Sequence, residues 1–293
     1  MSGAPTDGNA ISRRDPRYPA MLAQIPRAPS VLYVAGSVER MERLISEPVV
    51  AIVGTRKASD YGMETARGLA RGLAASGVTV LSALAEGIAA SAHLGALEVD
   101  GPTVTVMPGG ADVCHPATRR SLYQRLRSRG CVLSEHPWGA GKQRWSQLAR
   151  MRLVVGLAQM VIVVEAEEQP TALVPARLAE RLDRTVCAVP GRVSSPISQG
   201  PHALLRNGAV LIRNPQDALD ALYGIGSYEV PTGRAPLVPA LQGILEHIGS
   251  GRDTLSKLIA AGCDTDEATV ALAELELTGA VVRGDGGRYL PRG

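Results

Sequence analysis

Apolar residues in this chain recur with two different periods. Short apolar runs rich in β-branched residues stand at 49–53, 78–81, 103–106, 131–134, 161–164 and 186–189. Between them apolar positions are spaced by three and four, as at Ala66, Leu69, Ala70 and Leu73, and helical patterns recur over 87–97, 117–129, 147–157 and 171–182. The short runs fit buried strands, and the three-and-four spacing lays one face of a helix against them. Strands alternating with helices predict an α/β fold, a parallel sheet flanked by helices. Pro175 makes the 171–182 helix start late or kink. A short helix at 202–206 and an edge strand at 210–212 end the pattern.

The ends of the chain read differently. The first ten residues, rich in Gly, Pro and Asn, predict disorder. Residues 18–36 read as a short helix, a Pro-rich turn and a strand at 31–34, so 1–47 is a tail and extension packing on a Rossmann-like domain at 48–225. A linker at 226–235, with Pro231 and Gly233, leads to a small C-terminal domain at 236–293. There Leu241, Ile244, Leu245 and Ile248 mark one helix and 254–259 a second. Asp264 to Glu267 form a start signal for a third at 268–277, and the strands 280–283 and 288–290 enclose a Gly-rich turn. Three helices and a hairpin outline a winged helix. Its presumed recognition helix carries Glu267, Glu274 and Glu276 and no Arg or Lys, a sign that a phosphate backbone repels. The expectation is a protein-contact or packing module.

The stretch 49–82 is strand, loop, helix, strand, one βαβ unit, whose first loop falls at the carboxyl end of its strand, where open α/β sheets bind ligands. That loop holds Gly54, Thr55, Arg56 and Lys57, which suit a phosphate. Further loops with small or basic residues follow other strands, at Ser82 to Gly87, Pro108 to Gly110 and Pro170 to Ala172. Each precedes a helix whose N-terminal amides favour anions.

Charge sharpens this reading. The net charge is +3, yet 236–293 holds five basic and eight acidic residues, so it carries −3 and the remainder +6. Between Thr118 and Arg152 nine Arg or Lys face Glu135 alone, and the run crosses a helix, a strand and a loop, which favours a polyphosphate-binding patch over a solvated stripe. Lys142, Arg144, Arg150 and Arg152 belong to that run, and Trp145 among them is either a stacking platform for an unpaired base or a core anchor beneath its loop. Trp138, next to Pro137, reads as packing. Aromatic residues are otherwise scarce, at 3% with no Phe.

Several function classes lack their residues. No GxGxxG follows a strand and no GxxxxGK[ST] is present, which leaves dinucleotide and P-loop sites unsupported. The five His residues show no metal-ligand spacing, and Ser82 lies in no GxSxG elbow. His93, on a face of small residues, reads as a packing or capping histidine. Cys114, Cys131, Cys187 and Cys263 are widely spaced, which favours free thiols in a reducing cytoplasm over disulfides. There is no apolar run long enough to span a bilayer and no secretory h-region. The expectation is a cytoplasmic protein with no cofactor, no metal and no catalytic residue.

The motifs VAIVGTRKASDYG, SALAEGIAASAHLGAL, VLSEHP, GLAQMVIVVEA and AVPGRVSSPISQGPHALLRNGA, in that order and spacing, resemble the DprA/Smf family of DNA-processing proteins. The ending LELTGAVVRGDGGRYLPR resembles the winged-helix module that many members carry. The resemblance implies a non-enzymatic Rossmann-like domain that binds single-stranded DNA, forms homodimers and passes the strand to a RecA-type recombinase in natural transformation. Gly54, Thr55 and Arg56 match the family's phosphate-gripping G-[ST]-R, and Ser82, Gly87 and Ile88 match its second motif. Ala83, Glu86 and Ala89 stand where Gly, often Arg, and Asp are usual. The FPxRNR pattern becomes QLARMR, which keeps Arg150 and Arg152, puts Met151 for Asn and Gln147 for the base-stacking aromatic, and leaves Trp145 two positions earlier to take over. Pro170 and Thr171 begin a replacement of SGSLxT, and His202 replaces an Asn. Two alternatives stay open. The altered pocket binds a nucleotide, or the protein acts only through protein partners. A third reading, a phosphoribohydrolase, has Pro108-Gly109-Gly110 but lacks the acid–base Glu, since Ala111-Asp112-Val113 follows.

Overall fold

Short β-branched runs buried along their whole length build the middle of one sheet. The computed structural model describes residues 9–143, 145–169, 171–228, 238–277 and 280–291. It divides into two compact units, Met1–Pro231 and Thr232–Gly293. The larger unit begins with β1 (Ala10–Ser12), α1 (Ala20–Ala23), β2 (Val31–Ala35), α2 (Val38–Ser46), β3 (Val49–Val53), α3 (Asp60–Ala75), β4 (Thr79–Ala83) and α4 (Ile88–Glu98). It continues with β5 (Thr103–Val106), α5 (Arg120–Arg129), β6 (Cys131–Ser134), α6 (Ser146–Leu157), β7 (Met160–Val163), α7 (Val174–Arg181), β8 (Thr185–Ala188), α8 (Gln199–Arg206), β9 (Val210–Leu211) and α9 (Pro215–Tyr223).

The nine strands lie in the order β1-β2-β6-β5-β4-β3-β7-β8-β9. From β6 to β9 the neighbours are parallel, with Val50 opposite both Val80 and Met160. The chain winds outward from β3 to one side through β4, β5 and β6, then returns across and winds the other way through β7, β8 and β9. That reversal at β3/β7 is the doubly wound, Rossmann-like switch point. The expected parallel sheet is in fact mixed. The N-terminal extension does not merely pack on the core but adds β2 antiparallel to β6 and β1 antiparallel to β2. Ala10, expected in a disordered tail, pairs with Tyr33; residues 1–8 lie outside the described residues.

Two hydrophobic layers hold the sheet. Leu22, Met41, Leu153, Leu157, Ala176 and Leu204 cover one face from α1, α2, α6, α7 and α8. Leu69, Leu73, Ile88 and Leu219 cover the other from α3, α4 and α9. Gly62, Gly68 and Gly72 within α3 each weaken it by about 1 kcal/mol relative to Ala. Full burial of Leu69 and Leu73 at about 1.5–3 kcal/mol each offsets that, so packing rather than propensity fixes this helix. The α7 helix starts late, with Pro175 in its first turn, where a missing N–H costs no hydrogen bond. Among the described residues no helix is long and apolar enough to cross a membrane.

The smaller unit has α10 (Pro239–Gly249), α11 (Leu255–Ala260) and α12 (Thr265–Leu277), then β10 (Val281–Arg283) antiparallel to β11 (Tyr289–Pro291). Leu241, Ile244, Ile248, Leu258, Leu272, Leu275, Val281 and Tyr289 form its own core. The Asp264 carboxylate accepts from the Asp266 and Glu267 amides at 2.9 and 3.1 Å and so starts α12. Most of the expected linker, 229–235, lies outside the described residues.

Candidate nucleic-acid interface

The loop leaving β3 is held by the chain beyond β7. The Thr55 amide donates to the Glu165 carbonyl at 2.7 Å, and the Thr55 hydroxyl accepts from the Lys57 amide at 3.2 Å. Glu165 itself is buried, and its carboxylate accepts from the Ser59 amide at 2.9 Å and from the Ser59 hydroxyl. Ser59 in turn caps α3 by accepting from the Gly62 amide. Gly62 is required, because a side chain there would collide with the Glu165 carboxylate. A carboxylate of the protein therefore occupies the α3 N-terminus, where its charge complements the helix dipole. This corrects the expectation that Gly54 and Thr55 amides present a phosphate to that helix end. The Thr55 amide is spent, and the dipole already has its anion.

The neighbouring loop is fixed as tightly. Gly87 precedes α4 with φ +68°, and a Cβ there would lie 2.5 Å from the Thr55 carbonyl oxygen. The Ile88 amide donates to the same oxygen at 3.3 Å. Gly87 thus seats the β4 loop against the β3 loop and leaves Arg56 and Lys57 exposed above it.

What remains for an anion is a set of side chains. Arg56 donates to the Gln147 side-chain oxygen, which joins the β3 loop to the first turn of α6. One turn on, Arg150 is only 5% exposed; it donates to the Leu84 carbonyl at 3.3 Å, and its Nε is buried without a partner. Burial, and then the Arg56 charge, pull its guanidinium down to about 10. His115 is pushed below its usual range by burial and then by Lys142, Arg150 and Arg56, which places all four groups in one neighbourhood. Among the described residues no carboxylate pairs with Arg56 or Arg150. A buried guanidinium with neither an acid nor a full set of acceptors is costly unless an anion completes it.

Trp145 is 60% exposed at the start of α6, with its ring edge-on to His136 at 5.5 Å. It is a surface platform and not a core anchor. Trp138 packs edge-on against Tyr33, as its neighbours imply.

Other expected site residues lie elsewhere. Ser82 is buried and donates to the Ile52 carbonyl at 2.6 Å, so its hydroxyl ties β4 to β3 and offers nothing to a ligand. Arg152 points away from Arg150 and pairs with Glu135 while donating to the Arg27 carbonyl. It does not join the Arg56 cluster. Arg144 and Pro170 lie outside the described residues. Glu86 is exposed and accepts from Thr118 at 3.3 Å. In the loop after β5, Asp112 accepts from the Gly139 amide at 2.9 Å, a structural tie between loops.

Four residues escape a reading of the sequence. Glu165 reaches Ser59 across 106 positions, and His115 and His136 lie in loops without a motif. Tyr61, 52% exposed, donates to the Pro190 carbonyl at 2.7 Å. His93 is fully buried, and its Nδ1 lies 2.8 Å from the Thr103 hydroxyl. That hydroxyl donates to the Val80 carbonyl at 3.0 Å. All four cysteines are free. Among the described residues no group of three or more His, Cys, Asp or Glu is placed to hold a metal ion.

Comparison with known proteins adds an independent line. Residues 9–223 match the family model of DNA recombination-mediator protein A. The chain is 31% identical to Protein Smf of Synechocystis over 95% of its own length and 79% of the relative's. It is 40% identical to a putative DNA processing protein DprA of Mycobacterium tuberculosis, over 68% of its length and about half (51%) of the relative's. The solved structure of DNA processing protein A from Streptococcus pneumoniae superposes with a TM-score of 0.68 at 33% identity, covering 73% of this chain and 74% of that one. That of Helicobacter pylori, described for its single-stranded DNA binding mode, gives 0.63 at 30% identity, covering 70% and 92%.

Proposed function

The chain belongs to the family of DNA recombination-mediator protein A, and from that premise we propose that its larger unit binds single-stranded DNA along the carboxyl edge of the sheet. The observation that carries this reading is Arg150, a buried cation beside the exposed Arg56 that has, among the described residues, neither a partner for its Nε nor a carboxylate. A phosphate at this point accepts from both guanidiniums through charge-assisted hydrogen bonds. Lys142 and Lys57, both exposed, neutralise the neighbouring phosphates, and Trp145 stacks on one unpaired base with His136 against its ring. The Helicobacter pylori relative, described for binding single-stranded DNA, supports the choice of ligand.

The role is not enzymatic: the strand is protected and passed to a RecA-type recombinase in natural transformation, by a cytoplasmic homodimer whose C-terminal unit is a winged helix. The alternative, a pocket for a free nucleotide, is disfavoured because Glu165 fills the α3 N-terminus that a nucleotide phosphate would use.

Charge reversal tests the phosphate assignment. Arg56→Glu places an anion beside Arg150 and removes one phosphate contact, and the expected loss of affinity for an unpaired oligonucleotide is at least about tenfold at low salt. An affinity and salt dependence equal to those of the parent protein would sink the assignment.

A further inference from the structure

The chain leaves β1 through a turn whose place in the sheet follows from strand pairing. Ser12 stands opposite Val31 and Tyr33 opposite Ser134, with β2 antiparallel to β6, so the turn after Ser12 lies at the carboxyl ends of the parallel strands. It shares that edge with Arg56 and Arg150, and five strand steps, β1-β2-β6-β5-β4-β3, separate it from the Arg56 loop. At about 4.8 Å per step the two are roughly 24 Å apart. The turn is fixed to the segment before β2. The Arg13 amide donates to the Ser30 carbonyl at 2.8 Å, and the Tyr18 hydroxyl to the Pro29 carbonyl at 2.9 Å. Between them is a cavity of about 530 Å3, lined by Ser12, Arg13, Arg14, Ala28 and Ser30.

This lining holds two guanidiniums, two hydroxyls and no carboxylate. Arg13 is steadied by donating to the Ala23 carbonyl at 2.8 Å. Among the described residues Arg14 makes no ion pair. The acids close by in the chain or along the edge have cations of their own, Asp15 with Arg17 at 2.7 Å and Glu135 with Arg152. Forked donors beside hydroxyls select an anion, and the space admits a phosphate with its sugar. Along the edge between the two places stands exposed Lys142, whose amide lies against Gly109 beyond β5. We infer that Arg13 and Arg14, with the hydroxyls of Ser12 and Ser30, form a second phosphate site, which holds the single strand where it runs past β6 onto the N-terminal extension. This rests on the reading of the edge as a single-strand interface and lengthens it. A strand joining the two sites needs about seven bases at the stacked spacing of about 3.4 Å.

The test measures the full chain by fluorescence anisotropy against labelled single strands of about four and about thirty bases, the shorter too short to join the sites. Two phosphate contacts contribute about 1.4 to the slope of log K against log salt. Arg13→Ala/Arg14→Ala should therefore lower the affinity for the longer strand at least about tenfold at low salt, flatten its slope by about that amount, and leave the shorter strand within about twofold. Arg56→Glu should weaken both lengths. Arg43→Ala/Arg181→Ala, exposed cations on helices that end where β3 and β8 begin, should change neither by more than about twofold. Should the first double variant fail to fold by circular dichroism, Arg14→Ala alone carries the comparison, with a slope change of about 0.7. Equal binding of the longer strand by the Arg13 and Arg14 variants, an equal loss in the Arg43 and Arg181 variant, or an equal loss for the shorter strand would overturn the inference and leave the Arg56 site standing. Failure of the unmodified protein to bind either strand would overturn both.

Discussion

Arg150→Met is expected to raise stability and lower affinity together. The side chain is 5% exposed, and among the described residues its Nε has no partner and its one hydrogen bond is the 3.3 Å contact with the Leu84 carbonyl. A guanidinium drawn from 12.5 to about 10 by burial and by Arg56 is disfavoured in its charged form by roughly 3 kcal/mol. Methionine fills similar space without charge, and replacing poorly compensated buried charge with an apolar group of like volume is neutral or stabilising by about 1–4 kcal/mol. After allowing for the lost Leu84 contact, a gain of about 1–2 kcal/mol remains. In a unit of this size that is a rise in melting temperature of roughly 2–8 °C. Binding should move the other way. A charged hydrogen bond to phosphate is worth about 1.5–3 kcal/mol, so the affinity for an unpaired oligonucleotide should fall about 10- to 150-fold. The slope of log K against log salt should shrink by about 0.7. Thermal melts followed by circular dichroism, beside anisotropy titrations at several salt concentrations, measure both. A variant that melts lower and binds as tightly as the parent would show that Arg150 is an ordinary structural cation.

Trp145→Ala should cost about 1–3 kcal/mol of single-strand affinity, a factor of roughly 5 to 150, while melting shifts by less than about 0.5 kcal/mol because the ring is mostly exposed. Unchanged affinity in a folded variant would remove Trp145 from the binding surface. His93 supplies a pH test. Burial pulls it from 6.5 down to about 4, so between those values the unfolded chain binds a proton that the folded protein refuses. Its stabilisation is complete above pH 6.5 and is lost as the pH falls toward 4, by up to roughly 3 kcal/mol. His93→Gln should flatten that part of the curve, read from urea unfolding at successive pH values, and an identical slope would refute the assignment.

Much of the fold is legible because it rests on local composition. The runs in β3, β4, β5, β6 and β7 are apolar and buried on both sides, so they stand out from any window. Helix α2 does not, since only Val38 and Met41 of its nine residues are buried, and Leu44 and Ile45, only partly so, stand among charged and polar residues. The antiparallel β1 is three residues long and gains its identity only from pairing with β2. In the site, Arg56 and Lys57 are readable from the loop after a strand, whereas their company is not. Arg150 and Arg152 look equivalent in QLARMR, yet two steps along a helix turn them about 200° apart, one toward Leu84 and the other toward Glu135. Glu165 follows a strand and reads as its end; only the fold brings its carboxylate to Ser59 and closes the helix terminus to a phosphate.

The most direct measurement is fluorescence anisotropy of a labelled single-stranded oligonucleotide of about thirty bases with the unmodified protein, at low and high salt, with unlabelled duplex as competitor. Single-strand recognition through Arg56, Arg150, Lys142 and Trp145 predicts tight binding that weakens steeply with salt and that duplex does not displace. Absence of binding at low salt, or displacement by duplex at equal concentration, would contradict it.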